Sequence, residues 1–138
     1  MPAFPTYPRE AAGAQDRIYL LALGYGRLTL RGRCLGMVNR GGSTFTMIVW
    51  PYTARLGRDS QGLFVTDSES GATIRLGDEF TFGGGDNSTG SYGFGEPLSE
   101  PVPADCSARV ATLNPGSKGH ATLSANPRPP PARFPSRP

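Results

Sequence analysis

Cys34 and Cys106 are the only cysteines among 138 residues. An even pair can oxidise to a single disulfide. Such a bridge would close a loop of roughly 70 residues, worth about 4 kcal/mol in the chain-entropy model. The alternative is two buried thiols that act as small apolar groups. A cysteine nucleophile needs a fixed base, and the one histidine, His120, sits in a Pro-rich tract. The pair therefore points to structure before catalysis.

Other chemistry-bearing residues have structural readings as well. Asp78, Glu79 and Asp86 could form a carboxylate set for Ca²⁺, but a calcium loop supplies six to eight oxygens at a recognisable spacing, which is absent. Asp78 follows Gly77 and precedes alternating Phe80 and Phe82, which reads as a turn cap leading into a strand. Gly83-Gly84-Gly85 lacks the Lys and following helix of a phosphate loop and reads as a bulge or loop entry. Asn87-Ser88-Thr89 fits a glycosylation sequon, read as a polar surface loop. No catalytic residue, metal ligand or cofactor is expected.

The candidates for ligand contact are aromatic. Trp50 and Tyr52 flank Pro51 at a strand end, and Tyr92 and Phe94 lie within a glycine-rich stretch. Exposed, such rings stack on sugars or bases; buried, Trp50 would be the largest core residue. Arg27, Arg31, Arg33 and Arg40 could supply phosphate contacts beside them.

The elements that must position these residues are short. Arg17–Leu23 reads as a strand, Gly24-Tyr25-Gly26 as a turn and Arg27–Arg31 as a second strand with period-2 alternation. Strands follow at Arg33–Asn39 and Thr44–Trp50, the latter ended by Pro51. Residues 51–61 read as a surface loop. Further strands are expected over Gly62–Thr66, Ala72–Leu76, Glu79–Phe82 and Cys106–Leu113, with a long loop from Gly83 to Ala104. No sustained 3.6-residue period appears. Short strands at this spacing suggest a small antiparallel barrel of OB or SH3-like type, which also removes exposed edges.

Composition sets the limits of that domain. Gly (19) and Pro (14) are abundant. Prolines at 2, 5 and 8 make residues 1–16 a flexible lead-in, and seven prolines after Asn114 make 114–138 a disordered Pro/Arg-rich tail. The folded domain is then 17–113. The tail carries Lys118, Arg128, Arg133 and Arg137 and no acid, so the net charge of +3 belongs to it. A near-neutral folded part weakens a nucleic-acid reading. No run approaches the ~20 apolar residues of a membrane span, and no signal peptide is visible at the front.

The ordered middle resembles small uncharacterised bacterial proteins of barrel type. The resemblance rests on Gly26-Arg27-Leu28-Thr29-Leu30, Cys34-Leu35, Val49-Trp50-Pro51, Gly71, Gly77-Asp78-Glu79-Phe80, Gly83-Gly84-Gly85 and Pro103-Ala104-Asp105-Cys106. It covers roughly residues 26–110. Proteins like these are often exported or lipid-anchored, which implies an extracytoplasmic setting and favours the disulfide reading of Cys34 and Cys106. The expected function is a non-enzymatic binding or structural module of the bacterial cell envelope, presenting loops 51–61 and 83–104 to an envelope protein or carbohydrate. An OB-like binder of single-stranded nucleic acid is the alternative.

Overall fold

The computed structural model describes residues 1–8, 22–39, 41–86, 98–113 and 124–126. Among them are nine strands: β1 (Ala22–Arg31), β2 (Cys34–Val38), β3 (Phe45–Val49), β4 (Ala54–Asp59), β5 (Gly62–Asp67), β6 (Thr73–Arg75), β7 (Glu79–Asp86), β8 (Val110–Leu113) and β9 (Ser124–Asn126). One 3-10 turn, Ala104–Cys106, precedes β8. No helix of the described residues is long and apolar enough to cross a membrane. The protein is all-β, built from two sheets rich in antiparallel pairs.

The larger sheet has the order β1-β2-β3-β8-β7-β9, and β1 pairs with β7 as well as with β2. The first half of β1 runs against β7, from Ala22↔Gly84 to Arg27↔Glu79, and its second half against β2, from Arg27↔Val38 to Arg31↔Cys34. The smaller sheet has the order β4-β5-β6. One pair departs from the antiparallel expectation: β3 and β8 run parallel, with Met47 opposite Val110. Parallel neighbours require a long crossover, and the chain through β4 to β7 supplies it.

Several elements differ from the sequence reading. Residues 51–61 are not a loop, because Ala54–Asp59 forms β4 in a hairpin with β5. Its Arg- and Gly-rich composition gives little β propensity, and a tertiary contact compensates: the Phe64 ring covers Gly57, where an added Cβ would stand 2.5 Å from it. Gly24-Tyr25-Gly26 is not a turn but lies inside the long β1. Gly83 to Asp86 continues β7 and does not open the following loop. Residues 17–21 lie outside the described residues, as do 9–16 of the expected lead-in. Residues 1–8 pack on the domain: Tyr7 is 1% exposed. Of the expected tail, Ser124–Asn126 pairs with β7, and the rest lies outside the described residues.

The core has two parts. The larger holds Leu28, Leu35, Ile48, Trp50, Phe80 and Leu113 among others. Its aromatic spine runs Phe4–Trp50–Phe80–Phe82, with ring centroids 5.5, 6.5 and 5.6 Å apart. The smaller holds Tyr7, Cys34, Met47, Val49, Cys106 and Val110. Successive β3 residues thus enter different clusters, as the alternating direction of strand side chains requires. Both faces of β3 are buried, which accounts for its unbroken Met-Ile-Val run.

The outer face of β3 is covered by two segments distant in sequence. The Pro5 carbonyl accepts a hydrogen bond from the Trp50 amide (3.0 Å), and the Tyr7 amide donates to the Trp50 carbonyl (3.0 Å). The Tyr7 hydroxyl donates to the Leu113 carbonyl at 2.7 Å. Residues 98–106 complete the cover. The Ser99 amide donates to the Thr6 carbonyl (2.9 Å), while the Thr6 amide donates to Ser99 Oγ (2.9 Å).

Close packing gives a direct test. A Cβ on Gly24 would lie 2.1 Å from the Phe82 ring, and Phe82 is only 4% exposed. Gly24→Ala should therefore cost about 1–3 kcal/mol through overpacking, read as a lower urea midpoint at unchanged m-value. An unchanged midpoint would show that the ring yields freely.

Candidate functional site

The two cysteines meet. Cys34 opens β2, Cys106 ends the 3-10 turn, and their Sγ atoms are bonded at 2.02 Å with Cα atoms 5.6 Å apart. Both are buried in the smaller cluster, beside Met47, Val49 and Val110. The bridge holds the segment before β8 against β2, and β3 lies between those two strands in the sheet order. Asp105 lies close enough for its carboxylate to group with the two sulfurs, but disulfide sulfurs are poor ligands because thiolates do the binding.

The aromatic candidates do not form one site. Trp50 is fully buried, which overturns its role as a ligand contact. It sits between Phe4 and Phe80 in the core, and its indole N–H has no hydrogen-bond partner among the described residues. Tyr52 is half-buried against the smaller cluster. Tyr92 and Phe94 lie outside the described residues, as does Arg40.

Asp78 and Glu79, two of the carboxylates singled out by sequence, are engaged in the fold. Asp78 Oδ2 accepts from the Arg75 amide at 2.9 Å, and the Asp78 amide donates back to the Arg75 carbonyl at 2.9 Å. Glu79 pairs with Arg27 at 2.9 Å across β1 and β7. Asp86 ends β7. Two further acids were not anticipated. Asp67, 1% exposed, accepts from the Thr53 hydroxyl and from the Ser70 amide, the latter at 2.8 Å. Asp59 takes both arms of the Arg75 guanidinium, at 3.0 and 2.6 Å, while Arg75 also stacks 5.0 Å above the Phe64 ring.

The remaining arginines are used differently. Arg31 lies 4.9 Å over the Phe45 ring. Arg33 and Asp105 approach only to 3.8 Å with both side chains mostly exposed, a geometry that contributes little. Arg58, which sequence reading passed over inside a supposed loop, makes no side-chain hydrogen bond or ion pair among the described residues.

Two open grooves remain. One, of about 320 Å³, is lined by Phe4, Thr6, Ala54, Arg55, Leu56 and Ser99. The other, of about 260 Å³, brings together Met1, Pro2, Leu30, Leu63, Arg33 and Arg58. The second joins three places: the β1–β2 turn, the β4–β5 hairpin end and the start of the chain. Met1 is 76% and Leu30 36% exposed there, so this rim pairs loosely held cationic charge with open apolar surface. Sequence reading held Arg33 but placed nothing opposite it, because the partners come from hairpins far apart in the chain.

Comparison with protein-family models, with curated proteins and with solved structures finds no match.

The Arg75 fork sets a measurable electrostatic property. Its hydrogen bonds, helped by the Gln61 amide, hold the Asp59 carboxyl down at about 2. Because the folded value lies below the unfolded one, the pair's contribution is present above the unfolded pKa, near 4, and is lost as pH falls toward about 2. Carboxyl NMR titration should find Asp59 at about 2, and Arg75→Met should return it toward the ordinary aspartate range. An Asp59 with an ordinary value in the unsubstituted protein would refute the fork in solution.

Proposed function

We propose that this chain is a disulfide-stapled, non-enzymatic binding module of the bacterial cell envelope, built on an OB-type barrel. The architecture rests on the pairing circuit β1–β2–β3–β8–β7–β1. An OB fold is a five-stranded, partly open Greek-key barrel, a description that this five-strand circuit fits. The β4–β6 sheet is then an insertion between the third and fourth barrel strands.

The observation that carries the functional reading is the Cys34–Cys106 bridge. Disulfides persist in oxidising compartments and are rare where thiols are kept reduced. A binding role is supported by the use of the carboxylates: Asp59, Asp67, Asp78 and Glu79 are each bound into turns or ion pairs. A general acid or base must instead be free to reach a substrate proton. The single-stranded nucleic-acid alternative has less support. Trp50 is withdrawn into the core, and Arg27 is already paired with Glu79.

The test is the intact mass of the protein from its native cell after denaturation and alkylation, with and without prior reduction. Labelling of both cysteines only after reduction, at monomer mass, is expected. Full labelling without reduction would remove the basis for the envelope assignment. The bridge also has an energetic signature. Replacing both cysteines by alanine should cost about 4 kcal/mol of stability, measured by urea denaturation against the oxidised protein. A loss below about 1 kcal/mol would mean that the cover is held without the bridge.

A further inference from the structure

We infer that the groove between the β1–β2 turn and the β4–β5 hairpin docks the protein on an anionic lipid surface, holding a phosphate headgroup between Arg33 and Arg58. The inference deepens the binding-module reading and rests on it. The groove measures about 260 Å³, enough for a headgroup phosphate and the first part of what it is attached to.

Three observations favour a lipid. The first is charge. Arg33 and Arg58 are the charged residues of the lining, and Arg58 makes no side-chain hydrogen bond or ion pair among the described residues. Arg33 is held only at 3.8 Å by an exposed Asp105. A phosphate offers a guanidinium a stronger, bidentate geometry.

The second is the apolar rim. Met1 (76% exposed) and Leu30 (36%) flank these arginines, and exposed apolar side chains beside cations are the combination that seats peripheral proteins in the interface of an anionic bilayer. The third is the make-up of the lining: side chains from three chain segments converge on the groove, as suits a compact headgroup.

The experiment uses the full oxidised chain and vesicles of phosphatidylcholine with and without phosphatidylglycerol, scored by co-sedimentation. Binding should require phosphatidylglycerol and weaken as salt rises. Arg58→Glu should reduce it roughly tenfold or more, given about 1 kcal/mol per charge at such a surface. Arg55→Glu makes the same charge change on β4 at the other groove and should reduce it by less than about threefold. Both positions are exposed, and far-UV circular dichroism checks that each variant is folded. Leu30→Ser should weaken vesicle binding while leaving any binding of inorganic phosphate unchanged.

Equal binding to both vesicle types, or equal losses in the Arg58 and Arg55 variants, would overturn the site. Inorganic phosphate bound as tightly as vesicles would overturn the lipid and leave a small-anion site. A single-stranded oligonucleotide bound through Arg58, with no vesicle binding, would overturn it in favour of nucleic acid. These outcomes are separable from the thiol result, which depends on the cell compartment and not on the groove.

Discussion

A strand with two apolar faces must be covered twice. β3 places Ile48 in one cluster and Met47 and Val49 in the other, so a single sheet packing on one side cannot satisfy it. The inner face is met by the residues of β1, β2, β7 and β8. The outer face needs a second layer, which this chain makes from residues 1–8 and 98–106. Burying Met47 and Val49 on that face contributes several kcal/mol. Two short segments with little regular structure must be ordered to obtain it, and that ordering opposes folding. The disulfide, the Thr6–Ser99 hydrogen bonds and the Tyr7 hydroxyl bond offset the opposition by fixing both segments to the sheet. Much of the rest follows: Cys34 opens β2 and Cys106 precedes β8 because those strands flank β3.

Elements whose sequence carries its own period were legible. Period-2 alternation is plain in Leu63 and Val65 of β5 and in Phe80 and Phe82 of β7, and Thr44 to Trp50 announces itself by β-branched and aromatic residues. The turns at Gly71 and Gly77 follow from positive φ angles of 77° and 90°, which glycine adopts without strain. What failed were places where tertiary contacts override local preference. Glycine normally marks a turn, yet Gly24 and Gly26 lie within β1 because the Phe82 ring and the Met37 side chain occupy the space a side chain would need. Proline at 2, 5 and 8 suggested a loose front end. Proline excludes a helix and not an extended segment, and extended is what the cover of β3 requires.

The candidate site was legible in fragments. The cysteine pair could be named because there were only two, and Trp50 could be weighed as core because it ends the most apolar strand. The groove could not be read. Its arginines sit on hairpins of different sheets, and only the fold shows that the β1–β2 turn and the β4–β5 end share a rim. Reading 51–61 as a loop hid Arg58 further, since an arginine in a loop points nowhere in particular, whereas in a strand paired with β5 its position is set by register.

The staple and the groove share a stretch of backbone. Arg33 immediately precedes Cys34, and its carbonyl accepts a hydrogen bond from the Ala3 amide at 2.9 Å. Asp105, the loose partner of Arg33, immediately precedes Cys106. The bridge therefore fixes both members of that ion pair from the residue behind each, while their side chains remain largely exposed. A long cationic side chain on a fixed backbone loses less freedom when it binds an anion than one on a mobile loop. The same bond that holds the cover over β3 thus presets one wall of the groove. The opposite wall, Arg58, is preset by a different device: the adjacent Asp59 is gripped by Arg75, which ties the end of the β4–β5 hairpin to β6. Stability and presentation are here one property, because each arginine of the groove is the sequence neighbour of a residue that the fold has locked.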